Sequence, residues 1–181
     1  MAISRNNILY LLSKVVPLLE ELGIHWWLGR GVLRNFYLTK EIGDKNSDLD
    51  FHIWVKDKPI LRERLVPIFS NEGYTIDEQV YKIAFYKPQG NSHDFFVEFM
   101  FLFDDPNDPE IVYHSRNNGN KYAPKSCFSG YDVIQVENIR TRIPVKVDEY
   151  LLGTYGPNWK NNDLNDKNFQ STPSLFNDLD F

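Results

Sequence analysis

Ser47-Asp48-Leu49-Asp50-Phe51 sets two carboxylates two residues apart at the mouth of an apolar run, Leu49-Asp50-Phe51-His52-Ile53-Trp54-Val55. On a strand, residues i and i+2 share a face. Asp48 and Asp50 then project together and repel each other unless a cation lies between them. A divalent ion suits such hard oxygen ligands. The alternative is a loop–strand junction carrying two solvated carboxylates, and the surrounding chain has to decide between the two.

Upstream, Ile24-His25-Trp26-Trp27-Leu28 reads as a strand that runs into Gly29-Arg30-Gly31, after which residues 32–38 open a helix. A strand, a small-residue turn and a helix N-terminus point backbone N–H groups at an anion. Glycine also lets a phosphate come close to the backbone. A tight turn without a ligand is the plainer reading of two glycines. Arg30 and Arg34 lie one helical turn apart and each can fork onto phosphate oxygens, although surface ion pairing explains them equally well. Further upstream, Ile8, Leu11, Leu12, Val15, Leu18, Leu19 and Leu22 recur at helical spacing, with Gly23 as C-cap and Pro17 predicting a kink or break.

Downstream, the pattern predicts a helix over 59–70, opened by Pro59, and strands over 74–79, 80–86 and 94–103. Pro88-Gln89-Gly90-Asn91 reads as the turn between the last two strands. Asp104-Asp105-Pro106-Asn107-Asp108-Pro109 reads as a solvated acidic turn. Residues 111–113 are short and extended, and 114–125 are polar and loop-like, with a turn at Asn117-Asn118-Gly119-Asn120. Residues 132–137 and 141–144 form a two-strand element joined near Asn138. Residues 147–155 form a helix stopped by Gly156-Pro157. The run 161–181 is rich in Asn, Asp and Ser and reads as a mostly disordered tail, leaving one domain over 1–160.

Composition narrows the function. The chain has 181 residues, a formal net charge of −5 and an apolar share of 42%, enough for one domain with a core. The negative charge argues against a general grip on nucleic acid or an anionic membrane. A single cysteine, Cys127, excludes an intramolecular disulfide and a thiolate metal cluster. His25, His52, His93 and His114 show no zinc-like spacing. With no apolar run of about 18 residues and a polar start, a cytoplasmic domain without a membrane span is expected.

Glu98 is the third informative acid, because it stands inside Phe95-Phe96-Val97-Glu98-Phe99-Met100-Phe101. A buried, unpaired charge there costs several kcal/mol, so it needs a partner. If its strand lies beside that of Asp50, the partner could be the same metal ion. Three carboxylates, Mg²⁺ or Mn²⁺ and a backbone phosphate cradle are the equipment of phosphoryl and nucleotidyl transfer. Lys82 lies on a strand and faces either side, with no role read for it, and Arg116, Lys121 and Lys125 read as solvated loop charges. His52 shares the face of the acids, as a packed ring or a phosphate contact. Trp26, Trp27 and Trp54 read as core, and Tyr155 and Trp159 as the closure of the C-terminal helix.

In this order the Gly turn (Gly29, Gly31), Asp48-x-Asp50 and Glu98 resemble the nucleotidyltransferase superfamily. The resemblance implies an α+β, polymerase-β-like fold in which a mixed central sheet is flanked by helices. Trp27-Leu28-Gly29-Arg30-Gly31-Val32-Leu33, Asp50, and the ending Asp148-Glu149-Tyr150-Leu151-Leu152 with Tyr155-Gly156-Pro157-Asn158-Trp159 also look like the LicD/fukutin family. That narrower resemblance implies transfer of a phospho-alcohol, phosphocholine-like or ribitol-phosphate-like, from a CDP-activated donor to a glycan hydroxyl. Asp48, Asp50 and Glu98 would hold Mg²⁺ or Mn²⁺, and Gly29, Arg30, Gly31 and Arg34 would take the donor phosphates. The chain departs from that family at Arg30, where the family has Gly, and at Asn46, where it has its first Asp. Ser47-Asp48-Leu49-Asp50 is also the form of many aminoglycoside-type and toxin–antitoxin-type nucleotidyltransferases. They imply NMP transfer from an NTP to a small molecule or protein hydroxyl. A non-catalytic nucleotide-binding module of the same fold is the third reading.

Overall fold

The computed structural model describes residues 4–43, 48–89, 92–114 and 120–160. The expectations for Asn46, for the turn tips at Gly90-Asn91 and Asn117-Asn118-Gly119, for Arg116 and for the 161–181 tail lie outside the described residues.

Two strands rich in apolar residues form the centre. β2 (Leu49–Trp54) and β5 (Ser92–Asp104) run parallel, with Asp50 opposite Glu98 and His52 opposite Met100. β1 (Trp26–Leu28) adds antiparallel to β2. On the other side, β4 (Lys82–Gln89) and β3 (Thr75–Glu78) add antiparallel to β5 and to each other. β6 (Ile111–His114) pairs with the end of β5, and β7 (Lys121–Pro124) pairs with β6. The order β1-β2-β5-β4-β3 makes the sheet mixed. β8 (Asp132–Val136) and β9 (Ile139–Ile143) form a separate hairpin resting on β1 and on the first helix.

Alternation along the strands gives the sheet two different faces. Leu49, Phe51, Ile53, Ile83, Phe85, Val97, Phe99 and Phe101 are fully buried. They pack beneath α1 (Arg5–Leu22) and α3 (Lys58–Asn71), whose Phe69 ring stacks 4.4 Å from Phe85. The opposite face carries Asp50, His52, Glu98 and Met100. Over it lie α2 (Arg30–Thr39), α4 (Val147–Tyr155) and the β6–β7 pair.

Several expectations hold closely. Gly23 caps α1 with φ 65, and α4 spans the expected residues. Asp105 Oδ1 accepts the Asn107 and Asp108 N–H groups and so closes the acidic turn on itself. Others need correction. α1 runs unbroken through Pro17, which lies with Ser13 on the exposed side of the helix. The buried stripe of Ile8, Leu11, Leu12, Val15, Val16 and Leu19 holds the helix together. Pro88 sits in β4 and not in the turn, next to a register irregularity that absorbs its missing N–H. Lys121-Tyr122-Ala123-Pro124, expected to be loop, is a strand because β6 supplies its ladder. Among the described residues no helix is long and apolar enough to cross a membrane.

Candidate active site

The parallel register brings together carboxylates from two strands distant in sequence. Asp50 on β2 faces Glu98 on β5, and Asp48 stands just before β2. One oxygen of each lies within 4.8 Å of the others. Asp50 is buried, and its carboxyl is pushed well above the usual range by that burial and by the charge of Asp48, which Arg30 only partly offsets.

Two cations answer the three acids. Arg30 Nη1 lies 3.4 Å from Asp50 Oδ1 and 3.5 Å from Glu98 Oε2. Lys82 Nζ donates to Glu98 Oε1 at 2.7 Å and lies 3.5 Å from Asp77. Burial alone would lower the Lys82 ammonium, but Glu98 and Asp77 hold it above its ordinary value. Lys82, whose strand position left it facing either way, thus stands on the acid face beside Glu98. The signal was present in the alternation of β4, whose Ile83 and Phe85 point into the core and so turn Lys82 and Ala84 to the acid face.

The turn before α2 is packed from below. Gly29 N–H donates to the Asp50 carbonyl at 2.9 Å, and Arg30 N–H donates to the Tyr150 hydroxyl at 2.9 Å. That hydroxyl lies 2.7 Å from His52 Nε2. A Cβ on Gly29 would meet the His52 ring at 2.7 and 2.8 Å and the Tyr150 hydroxyl at 3.3 Å. On the side where a Cβ would project, His52 and Tyr150 take the room that glycine leaves. The N–H groups of Gly31 and Val32, second and third in α2, are those a helix leaves without a helical acceptor. Arg30 itself has φ 51, a left-handed conformation uncommon for a residue with a side chain.

Arg34 does not join Arg30. Its Nε and Nη2 both donate to the Trp159 carbonyl, the first at 2.8 Å, and its guanidinium lies 5.8 Å from the Tyr155 ring. In the structure these bonds tie Arg34 to the residues that follow α4, the segment in which Tyr155 and Trp159 read as a closure. His52 is fully buried, and burial followed by the Arg30 charge pushes it down to about 3. His114, read from the sequence only as lacking zinc-like spacing, is buried with its ring 4.8 Å from that of His52. Burial and the neighbouring His52 hold it well below its ordinary value.

A divalent ion fits this donor set. Carboxylate oxygens within 4.8 Å of one another match the spacing of two ligands at roughly 2.0–2.6 Å from one Mg²⁺, Mn²⁺ or Ca²⁺ ion. No family model matches the sequence, and no curated protein matches it. Among solved structures, the chain is similar to the lincosamide antibiotic adenylyltransferase LnuA with lincomycin bound. The TM-score is 0.51 at 10% identity, over 82% of this chain and 85% of that one. The fold is a nucleotidyltransferase fold. A putative nucleotidyltransferase from Thermotoga maritima matches at TM-score 0.46 and 15% identity, over 83% of this chain and 84% of that one. At 10% identity the likeness to LnuA concerns the fold alone. The narrower LicD/fukutin resemblance has no matching family model behind it.

Proposed function

We propose that the chain is a metal-dependent nucleotidyltransferase that moves NMP from a nucleoside triphosphate to a hydroxyl of a small molecule, releasing pyrophosphate. The observation that carries this reading is the convergence of Asp48, Asp50 and Glu98 within 4.8 Å on one face of a nucleotidyltransferase sheet. Asp48 and Asp50 would hold Mg²⁺ or Mn²⁺, with Glu98 as the third ligand. The ion would neutralise phosphate charge and activate the incoming hydroxyl. Glu98 suits a ligand better than a general base, because Lys82 occupies one of its oxygens and Arg30 faces the other. The Gly31 and Val32 N–H groups at the start of α2 offer donors to a phosphate, beside Gly29 and Arg30. A small-molecule acceptor is favoured over a glycan by the likeness to LnuA, an adenylyltransferase solved with lincomycin.

The phospho-alcohol reading keeps one specific support, the Tyr155-Gly156-Pro157-Asn158-Trp159 ending. The leaving group separates the two: pyrophosphate for NMP transfer, CMP for a CDP-alcohol donor. The full chain with Mn²⁺, each of the four NTPs and a panel of hydroxylated small molecules is expected to release pyrophosphate. Asp50→Asn is expected to abolish that release with no fall in melting temperature. CMP release from CDP-alcohols, with no pyrophosphate from any NTP, would overturn the proposal.

A further inference from the structure

Arg30 stands where its charge opposes the very ion that the acids would bind. Its Nη1 lies 3.4 Å from Asp50 and 3.5 Å from Glu98, longer than the roughly 2.7–2.9 Å of a good charge-assisted hydrogen bond. Its third neighbour is the Met100 sulfur at 3.0 Å, a poor acceptor. Its Nε is buried and has no hydrogen-bond partner among the described residues. The guanidinium fork, built to grip two oxygens at once, therefore grips none well. The backbone that carries it is in the left-handed region, where strain collects at sites that change state. Arg30 is 5% exposed, so neither water nor salt screens this arrangement much.

We infer that Arg30 is an internal counter-cation which holds the metal position against free divalent ions and gives it up when a polyphosphate enters with the metal. The inference rests on the metal assignment proposed above and adds the order in which the site fills. A metal alone would have to share Asp50 and Glu98 with a buried positive charge that has nowhere to go. A metal arriving on a triphosphate brings its own acceptors. The metal takes the carboxylates, and the guanidinium turns to phosphate oxygens, which match its fork. No buried charge is left unpaired at any stage.

The experiment measures Mn²⁺ affinity by titration calorimetry on the full chain, without substrate or turnover. Arg30→Gly is expected to bind Mn²⁺ at least ten-fold more tightly than the wild type. Glycine also accepts the left-handed backbone, and Arg30→Gln, which keeps bulk without charge, serves if the glycine variant does not fold. Adding Asp50→Asn to either variant should remove the gain. In thermal melts, the preformed Mn²⁺–tripolyphosphate complex should stabilise the wild type more than Mn²⁺ alone at equal concentration. Equal Mn²⁺ affinity in wild type and variants overturns the role of Arg30 and leaves the metal assignment standing. No Mn²⁺ binding in any of them overturns the metal assignment and the inference with it.

Discussion

Gly29→Ala tests how tightly the turn before α2 is built. The new methyl would sit 2.7 Å from His52 Cδ2 and 2.8 Å from Nε2, where ordinary contact begins at 3.4 Å. The ring has little room to retreat. Its Nε2 is 2.7 Å from the Tyr150 hydroxyl, its centroid is 4.8 Å from His114, and Phe128 lies 5.9 Å away. Overpacking of this kind costs about 1–3 kcal/mol. For a domain of this size each kcal/mol moves the midpoint by about 2–4 °C, so a fall of roughly 2–12 °C is expected. Urea and thermal denaturation of wild type and variant give the number. Gly130→Ala is the control, since its nearest neighbour would be Val145 at 3.6 Å, and it should stay within about 0.5 kcal/mol of wild type. In the double variant Gly29→Ala/His52→Ala the removed ring makes space, so the two losses should add to less than their sum. A Gly29→Ala protein that melts within a degree of wild type would refute the account of that glycine.

Lys82→Met removes the 2.7 Å donor of a buried carboxylate and should lower stability by about 1–3 kcal/mol in urea denaturation, with Lys82→Met/Glu98→Gln less affected than the single variant. Arg34→Ala removes both donors to the Trp159 carbonyl and should speed limited proteolysis just after α4, and Arg34→Lys should not restore protection because an ammonium lacks the fork. The buried histidines predict an acid-sensitive fold. His52 and His114 titrate lower in the folded chain than in the unfolded one, where the value is about 6.5. Below that pH the unfolded chain binds the extra protons, so each histidine removes about 1.4 kcal/mol of stability per pH unit, for His52 down to about 3. Asp50, shifted upward, contributes with the opposite sign. The histidine part is therefore read as the difference in slope between wild type and His114→Phe over pH 5–7, and identical slopes would refute it.

Asp50 and Glu98 are legible in the sequence because each is a charge inside an apolar run, and such a charge must have a partner somewhere. Their adjacency then follows if the two strands pair. The identity of the cations beside them is not legible in the same way. Lys82 reaches Glu98 only through the antiparallel pairing of β4 with β5, and Arg30 points inward because its backbone takes a conformation that sequence patterns do not announce. Gly29 reads as room for a phosphate, and the neighbours that crowd its Cβ side come from β2 and α4, which the local pattern does not announce. Arg34 shares a helix with Arg30, but the Trp159 carbonyl claims it. Helices and strands are set by local periodicity, which is why α1, α3 and α4 fall close to their expected bounds. Pro17 shows the reverse, a local breaker overruled by the packing of a whole stripe.

The parallel pairing of β2 with β5 has a consequence for folding. Between the two strands the chain makes α3, β3 and β4 and returns, so Asp50 meets Glu98 only after a long loop has closed. No local fragment holds the three acids together. Any ion they bind therefore binds the complete fold and not its parts, and at a hundred times its dissociation constant adds about 2.7 kcal/mol against global opening. Backbone amides of α3, on the far side of the sheet from every carboxylate of the site, would then exchange more slowly with solvent when the metal is present.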